Sequence, residues 1–182
     1  MNFAHPATFR NSVLYVSNRQ ESRPINLVLF RRIVSAVLKE LLKVRYDLGV
    51  HLVSVAEITW LNETFLHHRG PTDVIAFDYG GDATSQRLVA TVVSRRLALQ
   101  RRALLHGEIF ICVQEAMKQA QRFHTTWQSE VARYAIHGVL HLCGYDDRQK
   151  VKRLQMKREE DHLLKQICRK FDVAALKRRL KA

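Results

Sequence analysis

Residues 134–147 read YAIHGVLHLCGYDD, and the interpretation of the whole chain starts from them. His137 and His141 are four residues apart, so a helix places both imidazoles on one face, one turn apart. Gly144 is a typical helix stop because glycine readily adopts the left-handed backbone conformation. Asp146 and Asp147 follow directly. The stretch therefore predicts a helix that carries a histidine pair and ends just before an acidic residue returns towards that pair.

Two imidazoles at this spacing are a common way for a helix to bind one metal ion. Together with one of the two aspartates they would provide three protein ligands, and three ligands with one open position are typical of catalytic zinc. The alternative is that both histidines are hydrogen-bonded core groups. In zinc peptidases with the H-E-x-x-H motif, a glutamate that serves as general base directly follows the first histidine. Here that position is Gly138, so the sequence does not predict a peptidase of that type.

Around this helix, the hydrophobic pattern alternates between strands and helices. Short apolar runs predict strands at 13–17, 50–55, 74–79 and 108–113. Helical spacing predicts helices at 26–46 (N-cap Asn26), 58–67, 114–123, 129–142 (N-cap Ser129) and 148–170, while residues 84–105 fit a helix or, at Val89–Val93, a strand. We expect a single domain over 1–182 with a basic C-terminal tail on a frayed helix at about 170–182. Its predicted class is α+β, a small mixed sheet covered by helices, with the metal site at the end of the histidine-bearing helix.

The charge balance points to a polyanionic partner. The 182 residues include 30 Lys and Arg against 17 Asp and Glu, a formal net charge of +13. Such a surface attracts nucleic acid first and an anionic membrane surface second. Cys112, Cys143 and Cys168 form no C-x-x-C pair, which fits reduced thiols. With neither a signal peptide nor an apolar run of about 20 residues in the sequence, we expect a soluble, cytoplasmic protein.

The run from His137 to Asp147 closely resembles the signature of the YbeY family of bacterial rRNA-maturation endoribonucleases. Two further stretches agree in order. The family's N…TDVLSF element is similar to Leu61-Asn62 followed by Thr72-Asp73-Val74-Ile75-Ala76-Phe77 of this chain. Its G-D-I strand is similar to Gly107-Glu108-Ile109-Phe110-Ile111. With the Met156–Leu164 helix, the resemblance covers about Val50 to Leu164. It implies one α+β domain, one zinc ion held by three histidines, a cytoplasmic location and maturation of the 3′ end of small-subunit rRNA.

Carried over to this chain, the implied metal ligands are His137, His141 and Asp147. The third position departs from the family, which usually has histidine there. An aspartate also binds zinc, at about 2.0–2.2 Å, but it makes the ligand set harder, so Mn²⁺ or Fe²⁺ would compete better. Asp146 is the nearby alternative ligand.

Two other departures concern RNA. The family commonly has an arginine four residues after the asparagine, where this chain has Leu66, although His67, His68 and Arg69 follow at once. The stretch between Phe77 and Gly107 is longer and richer in arginine than is usual. The candidate contacts to the RNA backbone are therefore Arg69, Arg95, Arg96, Arg101 and Arg102, with a solvated basic surface as the alternative. Thr72 and Asp73 fit a turn closed by side-chain hydrogen bonds better than a direct catalytic role.

The sequence thus predicts a zinc-dependent, single-strand-specific endoribonuclease of rRNA processing. Its partners would be the small-subunit rRNA precursor and the small ribosomal subunit or its assembly factors. The alternative is a non-catalytic, RNA-binding assembly factor with a structural zinc. A structural zinc normally has four protein ligands, and only three are evident here. A metal-dependent hydrolase of small or peptide substrates is disfavoured by Gly138 and by the basic charge.

Overall fold

The computed structural model describes residues 12–41, 45–80 and 104–178. Within these residues, four strands form one sheet in the order β1-β2-β4-β3. The strands are β1 (Val13–Asn18), β2 (Arg45–Val53), β3 (Val74–Asp78) and β4 (Leu104–Cys112). Strands β1, β2 and β4 are parallel, and β3 pairs antiparallel with β4. The sheet is therefore mixed, and the predicted α+β class is confirmed.

Five α-helices accompany the sheet in the described part of the chain. They are α1 (Leu27–Leu41), α2 (Val55–Leu61), α3 (Val113–Phe123), α4 (Trp127–Leu142) and α5 (Lys150–Lys170). A π-type turn, Asn62–Leu66, follows α2, and a 3₁₀ turn, Val173–Leu176, follows α5. Helix α4 contacts α1, α3, α5 and the strands β3 and β4. The predicted histidine-bearing helix is thus the central helix of the fold.

Strand alternation separates two apolar clusters. Leu48, Val50 and Leu52 of β2 are fully buried in the main core beneath α1 and α4. On the other side of the sheet, Val53 packs in a smaller cluster with Ile58 of α2. Because successive side chains of a strand point to opposite faces, His51 lies on this second side.

Gly138 sets how closely α4 approaches the sheet. A Cβ atom at this position would lie 2.6 Å from Cγ2 of Ile109 in β4. Contacts that short do not occur between carbon atoms, so a larger side chain would require α4 and β4 to separate. The position that holds the general base in zinc peptidases is therefore packed against the sheet, which agrees with the absence of that motif.

The structure corrects several predicted boundaries. Residues 45–49 were assigned to the end of the first helix and the turn after it, but they belong to β2, and β4 likewise begins four residues before Glu108. Both extensions arise because Arg45–Gly49 pairs with Leu104–Glu108. The segment predicted as one helix over 58–67 consists of two elements, α2, which begins at Val55, and the π-type turn that follows it. His67 ends the π-type turn with a left-handed φ of 58°.

The helix starts are partly as predicted. Asn26 does cap α1, since its side-chain oxygen accepts a hydrogen bond from the Leu29 amide at 3.1 Å. Ser129 was wrong as the N-cap of α4, because Thr126 caps that helix and accepts from the Ser129 amide at 3.2 Å.

The prediction of a frayed helix over about 170–182 is also wrong for the part of it that the structure describes, which ends at residue 178. Burial of Val173 and Leu176 turns the chain back, and Lys177 bridges to Ile25.

The alternatives for residues 84–105 lie almost wholly outside the described residues. A single domain over 1–182 stays a prediction. Among the described helices, none is both long enough and apolar enough to span a membrane.

Candidate metal centre

The fold brings His137, His141 and Asp147 together. One ligand atom from each residue lies within 4.8 Å of the other two, and all three residues are half-buried. Helix α4 places the two imidazoles one turn apart, with their Nε2 atoms 3.0 Å from each other. Gly144 then adopts a positive φ of 83°, and its amide donates to the His141 carbonyl at 2.8 Å. This turn carries the chain back so that Asp147 reaches the histidine pair.

Hydrogen bonds fix which nitrogen of each imidazole carries its proton. Nδ1 of His137 lies 2.9 Å from the Glu160 carboxylate, and Nδ1 of His141 lies 3.2 Å from the Tyr145 carbonyl oxygen. Both of these partners are acceptors, so both Nδ1 atoms are assigned as donors from the hydrogen-bond network. In the neutral imidazoles, both Nε2 atoms then present lone pairs, and these face each other.

This arrangement fits a metal ion. Two lone pairs 3.0 Å apart repel each other unless a cation lies between them, and the Asp147 carboxylate adds negative charge at the same point. Metal-binding histidines usually donate their other N–H to a carboxylate or a backbone carbonyl, which is the pattern here. Two imidazoles and one carboxylate are a known ligand set for catalytic zinc.

The ionisation states support the same assignment. Burial, together with the neighbouring His137, lowers the pKa of His141 and favours its neutral, metal-binding form. Burial of Glu160 acts to raise its pKa, but hydrogen bonds from His137 and Arg133 outweigh burial, so the pKa lies below its usual value. Glu160 is therefore an anion that holds His137 in place.

Asp146, the alternative ligand, makes other contacts. Its carboxylate accepts a hydrogen bond from the Arg148 amide at 3.0 Å and pairs with Lys152 at 3.0 Å. These bonds lower the pKa of Asp146. They also stabilise the turn before α5. The structure thus gathers Asp147, and not Asp146, with the histidine pair.

Sequence reasoning missed Glu160 and Arg133. Glu160 is 7% exposed and lies 23 residues beyond His137, in α5. Arg133 pairs with Glu160 at 2.6 Å and with Asp161 at 2.7 Å. Two signals were present in the sequence: Arg133 and His137 share one face of α4, and the only acidic run of α5, residues 159–161, interrupts an otherwise basic helix.

Of the five predicted RNA contacts, the described residues include Arg69 alone. Arg69 is exposed on the loop after the π-type turn and does not line the cavity beside the histidines. That loop is held by Asn62, which is 4% exposed and donates to the Gly70 carbonyl at 2.8 Å. Arg95, Arg96, Arg101 and Arg102 lie outside the described residues.

Thr72 and Asp73 have the turn-closing contacts that the sequence suggested. The Asp73 carboxylate accepts from the Val74 amide at 2.9 Å and from the Thr72 hydroxyl at 3.1 Å. Asp73 also lines the cavity beside the metal centre, which has a volume of about 540 Å³.

A family model described as "Endoribonuclease YbeY" matches residues 15–168. The chain belongs to the YbeY family. A relative of the same name from Chlorobium luteolum is 34% identical over 109 residues, 60% of this chain and 65% of the relative. Another from Finegoldia magna is 29% identical over 159 residues, 85% of this chain and 94% of the relative. Both relatives are named endoribonucleases.

The coverage of relatives is uneven. The matched part of the chain spans just under two thirds of the Chlorobium protein and 61% of a Flavobacterium psychrophilum relative that also carries the YbeY name. The solution structure of TM1509 from Thermotoga maritima has a TM-score of 0.54 and 19% identity, with 92% of this chain and 97% of that one covered. At this identity, the likeness to TM1509 shows a shared fold alone.

Proposed function

We propose that this protein is a zinc-dependent endoribonuclease that cuts single-stranded RNA during maturation of the small-subunit rRNA 3′ end. The proposal includes a cytoplasmic location and association with the small ribosomal subunit or its assembly factors. The observation that carries it is the facing pair of Nε2 lone pairs beside Asp147. Family membership supports the RNA substrate, and the site supports the metal.

In this proposal, His137, His141 and Asp147 hold one zinc ion. When bound, zinc supplies a Lewis acid that polarises a phosphoryl oxygen and makes water more acidic. With three protein ligands from the described residues, one position would stay open, as in catalytic rather than structural zinc sites. This favours an enzyme over the alternative of an assembly factor with a structural zinc.

The chain's own residues orient the ligands. Glu160 accepts the Nδ1 proton of His137 and thereby keeps its Nε2 atom free for the metal. The Tyr145 carbonyl does the same for His141. Arg133, ion-paired with Glu160 and Asp161, holds the Glu160 carboxylate between α4 and α5. A rigid donor set of this kind is what allows the site to act without rearranging.

The test is cleavage of an end-labelled small-subunit rRNA precursor by the wild-type protein and by His141→Ala, prepared in parallel. We expect the wild type alone to cut, and chelation to abolish cutting while the circular dichroism spectrum is kept. Equal cutting by both proteins would reject the site. Unfolding on chelation would instead support the structural-zinc alternative.

A further inference from the structure

The first half of α5, together with the residue before it, carries a dense run of positive charge. Residues 148–158 contain six basic side chains and no acidic one. These are Arg148, Lys150, Lys152, Arg153, Lys157 and Arg158. The run starts directly after Asp147, and two of its members, Arg153 and Lys157, line the cavity beside the candidate metal centre.

This charge opposes the local preference of the helix. The N-terminal end of a helix carries a partial positive charge and favours acidic residues. The first turn of α5 has none, and Gln149 makes no capping hydrogen bond through its side chain. Among the ion pairs of the described residues, none includes Lys150 or Arg153, whereas Lys157 pairs with Asp161 at 3.7 Å. An anion bound beside this end of the helix would offset the repulsion.

Three of the basic residues form one stripe. Lys150, Arg153 and Lys157 follow a spacing of three and four residues, so they share one face of α5 over about 10 Å. Arg153 and Lys157 both line the 540 Å³ cavity beside His137 and Asp147, which the carboxylates of Asp73, Glu130 and Glu160 also line. The stripe thus leads into the cavity.

The lining of the cavity also includes an unpartnered donor. Tyr134 is 5% exposed and lines the cavity, and its hydroxyl has no hydrogen-bond partner among the described residues. Burial, with Asp73 and Glu130 nearby, raises its pKa, so the hydroxyl keeps its proton. A buried O–H group without a partner requires an acceptor, and a phosphate oxygen is a strong one.

An exposed aromatic ring completes the surface. Phe123, at the end of α3, is 60% exposed although it lines the same cavity. Proteins that bind single-stranded RNA stack unpaired bases on such rings and hold the backbone with basic side chains. A small free anion would need neither the extended stripe nor the ring.

We propose that this surface is the RNA-binding track of the protein. Lys150, Arg153 and Lys157 contact backbone phosphates, a phosphate oxygen accepts the Tyr134 hydroxyl proton, and a base stacks on Phe123. The inference rests on the proposed function for its substrate class, but it concerns binding and not cleavage. It assigns to α5 the role that the sequence suggested for Arg69 and for the arginines at 95–102.

The test measures binding of a fluorescein-labelled, 2′-O-methylated single-stranded RNA by anisotropy across a series of salt concentrations. Methylation of the 2′-oxygens and removal of metal by chelation separate binding from cutting. For Arg153→Gln/Lys157→Gln, we expect the slope of log affinity against log salt to fall by about 1.4, because each single-strand phosphate contact contributes about 0.7. The matched control is Lys165→Gln/Arg169→Gln, which removes the same charge from exposed positions further along α5. Its slope should stay at the wild-type value.

Two single variants test the cavity itself. Phe123→Ala should weaken RNA binding by about 5- to 150-fold, the range for loss of one base–aromatic stack. Tyr134→Phe should weaken binding while leaving the protein at least as stable as the wild type, because within the described part of the chain the hydroxyl has no hydrogen-bond partner to lose. Unchanged RNA affinity in Tyr134→Phe would mean that the hydroxyl has no role in binding, and the Tyr134 contact would be rejected.

The outcomes separate this inference from the proposed function. Equal slopes in the two double variants would overturn the track, even if the protein cuts RNA. Distinct slopes together with no cutting by the wild type would support the track and reject the nuclease.

Discussion

Two histidine clusters lie on opposite sides of the sheet, and they differ in how completely their nitrogens are used. His51 of β2 is 6% exposed, and both of its ring nitrogens have protein partners. Its Nδ1 lies 2.8 Å from the Ser17 hydroxyl, and its Nε2 lies 3.2 Å from the Glu108 carboxylate. His137 and His141 have only their Nδ1 atoms bonded to acceptors, and their Nε2 atoms face each other.

The difference indicates what we expect to separate a structural histidine from a candidate metal ligand. Both clusters are substantially buried, and both include a glutamate on a neighbouring element. In the His51 cluster, Ser17 of β1 and Glu108 of β4 pair with the two ring nitrogens of His51 in β2. In the His137–His141 cluster, the protein fixes two imidazoles and leaves two lone pairs converging on one point. An incomplete set of hydrogen bonds, and not burial or the presence of a carboxylate, distinguishes the candidate metal centre from the His51 cluster.

The largest effect should come from removing one of the facing nitrogens. We expect His141→Ala to lower zinc affinity by more than the 10- to 100-fold typical of changes to outer partners, because a direct ligand is lost. His51→Gln is the matched control and should leave zinc affinity unchanged. Competition with a chromophoric chelator measures both. Comparable losses in the two variants would mean that the clusters do not differ in the way described.

The next effect concerns the glutamates. Glu160→Gln keeps the size of the side chain but weakens the acceptor for Nδ1 of His137, so zinc affinity should fall by about 10- to 100-fold. Glu108→Gln makes the same change beside His51 and should have no effect on zinc. Glu160→Asp, which restores the charge, should recover part of the affinity. A lower free energy of unfolding with unchanged zinc affinity would assign Glu160 a purely structural role.

How much of the candidate site could be predicted from the sequence depends on how far apart along the chain the contacting residues lie. The helix that carries His137 and His141 and the turn at Gly144 are local features, and the sequence predicted both. Asp147 was preferred over Asp146 only through the family resemblance, although the hydrogen bonds of Asp146 show why it is held elsewhere. Glu160 was missed because its contact with His137 joins two helices, and spacing along the chain does not indicate such a contact.

The same reason explains the errors in the sheet. Arg45–Gly49 has no strong strand pattern of its own, and pairing with Leu104–Glu108 and with β1 determines its conformation. His51 was included in a predicted strand, but the interstrand pairing places Ser17 directly opposite it. Its full set of partners therefore became visible only in the structure.

A smaller effect is expected from Ser17→Ala. This change removes the hydroxyl that pairs with Nδ1 of His51 and should lower the free energy of unfolding by about 0.5–1.5 kcal/mol. Zinc affinity should not change, because the sheet and the main core separate Ser17 from α4. Urea unfolding and the chelator competition measure the two quantities on the same sample. A fall in zinc affinity would couple the two clusters and break the comparison.

The smallest effect is the pH dependence of stability that His51 contributes. Burial is the largest cause that lowers the pKa of His51, and the nearby Arg19 adds to it, outweighing the opposing effects of Glu108 and Glu57. As the pH falls below about 6.5, the unfolded chain takes up this proton before the folded protein does. The free energy of unfolding should therefore decrease towards lower pH in that window. His51→Gln removes the titrating group, so the difference in unfolding free energy between the wild type and this variant isolates it from the other histidines. A constant difference between pH 7.5 and 5.5 would show that the partners of His51 offset its burial completely, so that its cluster is satisfied in either protonation state.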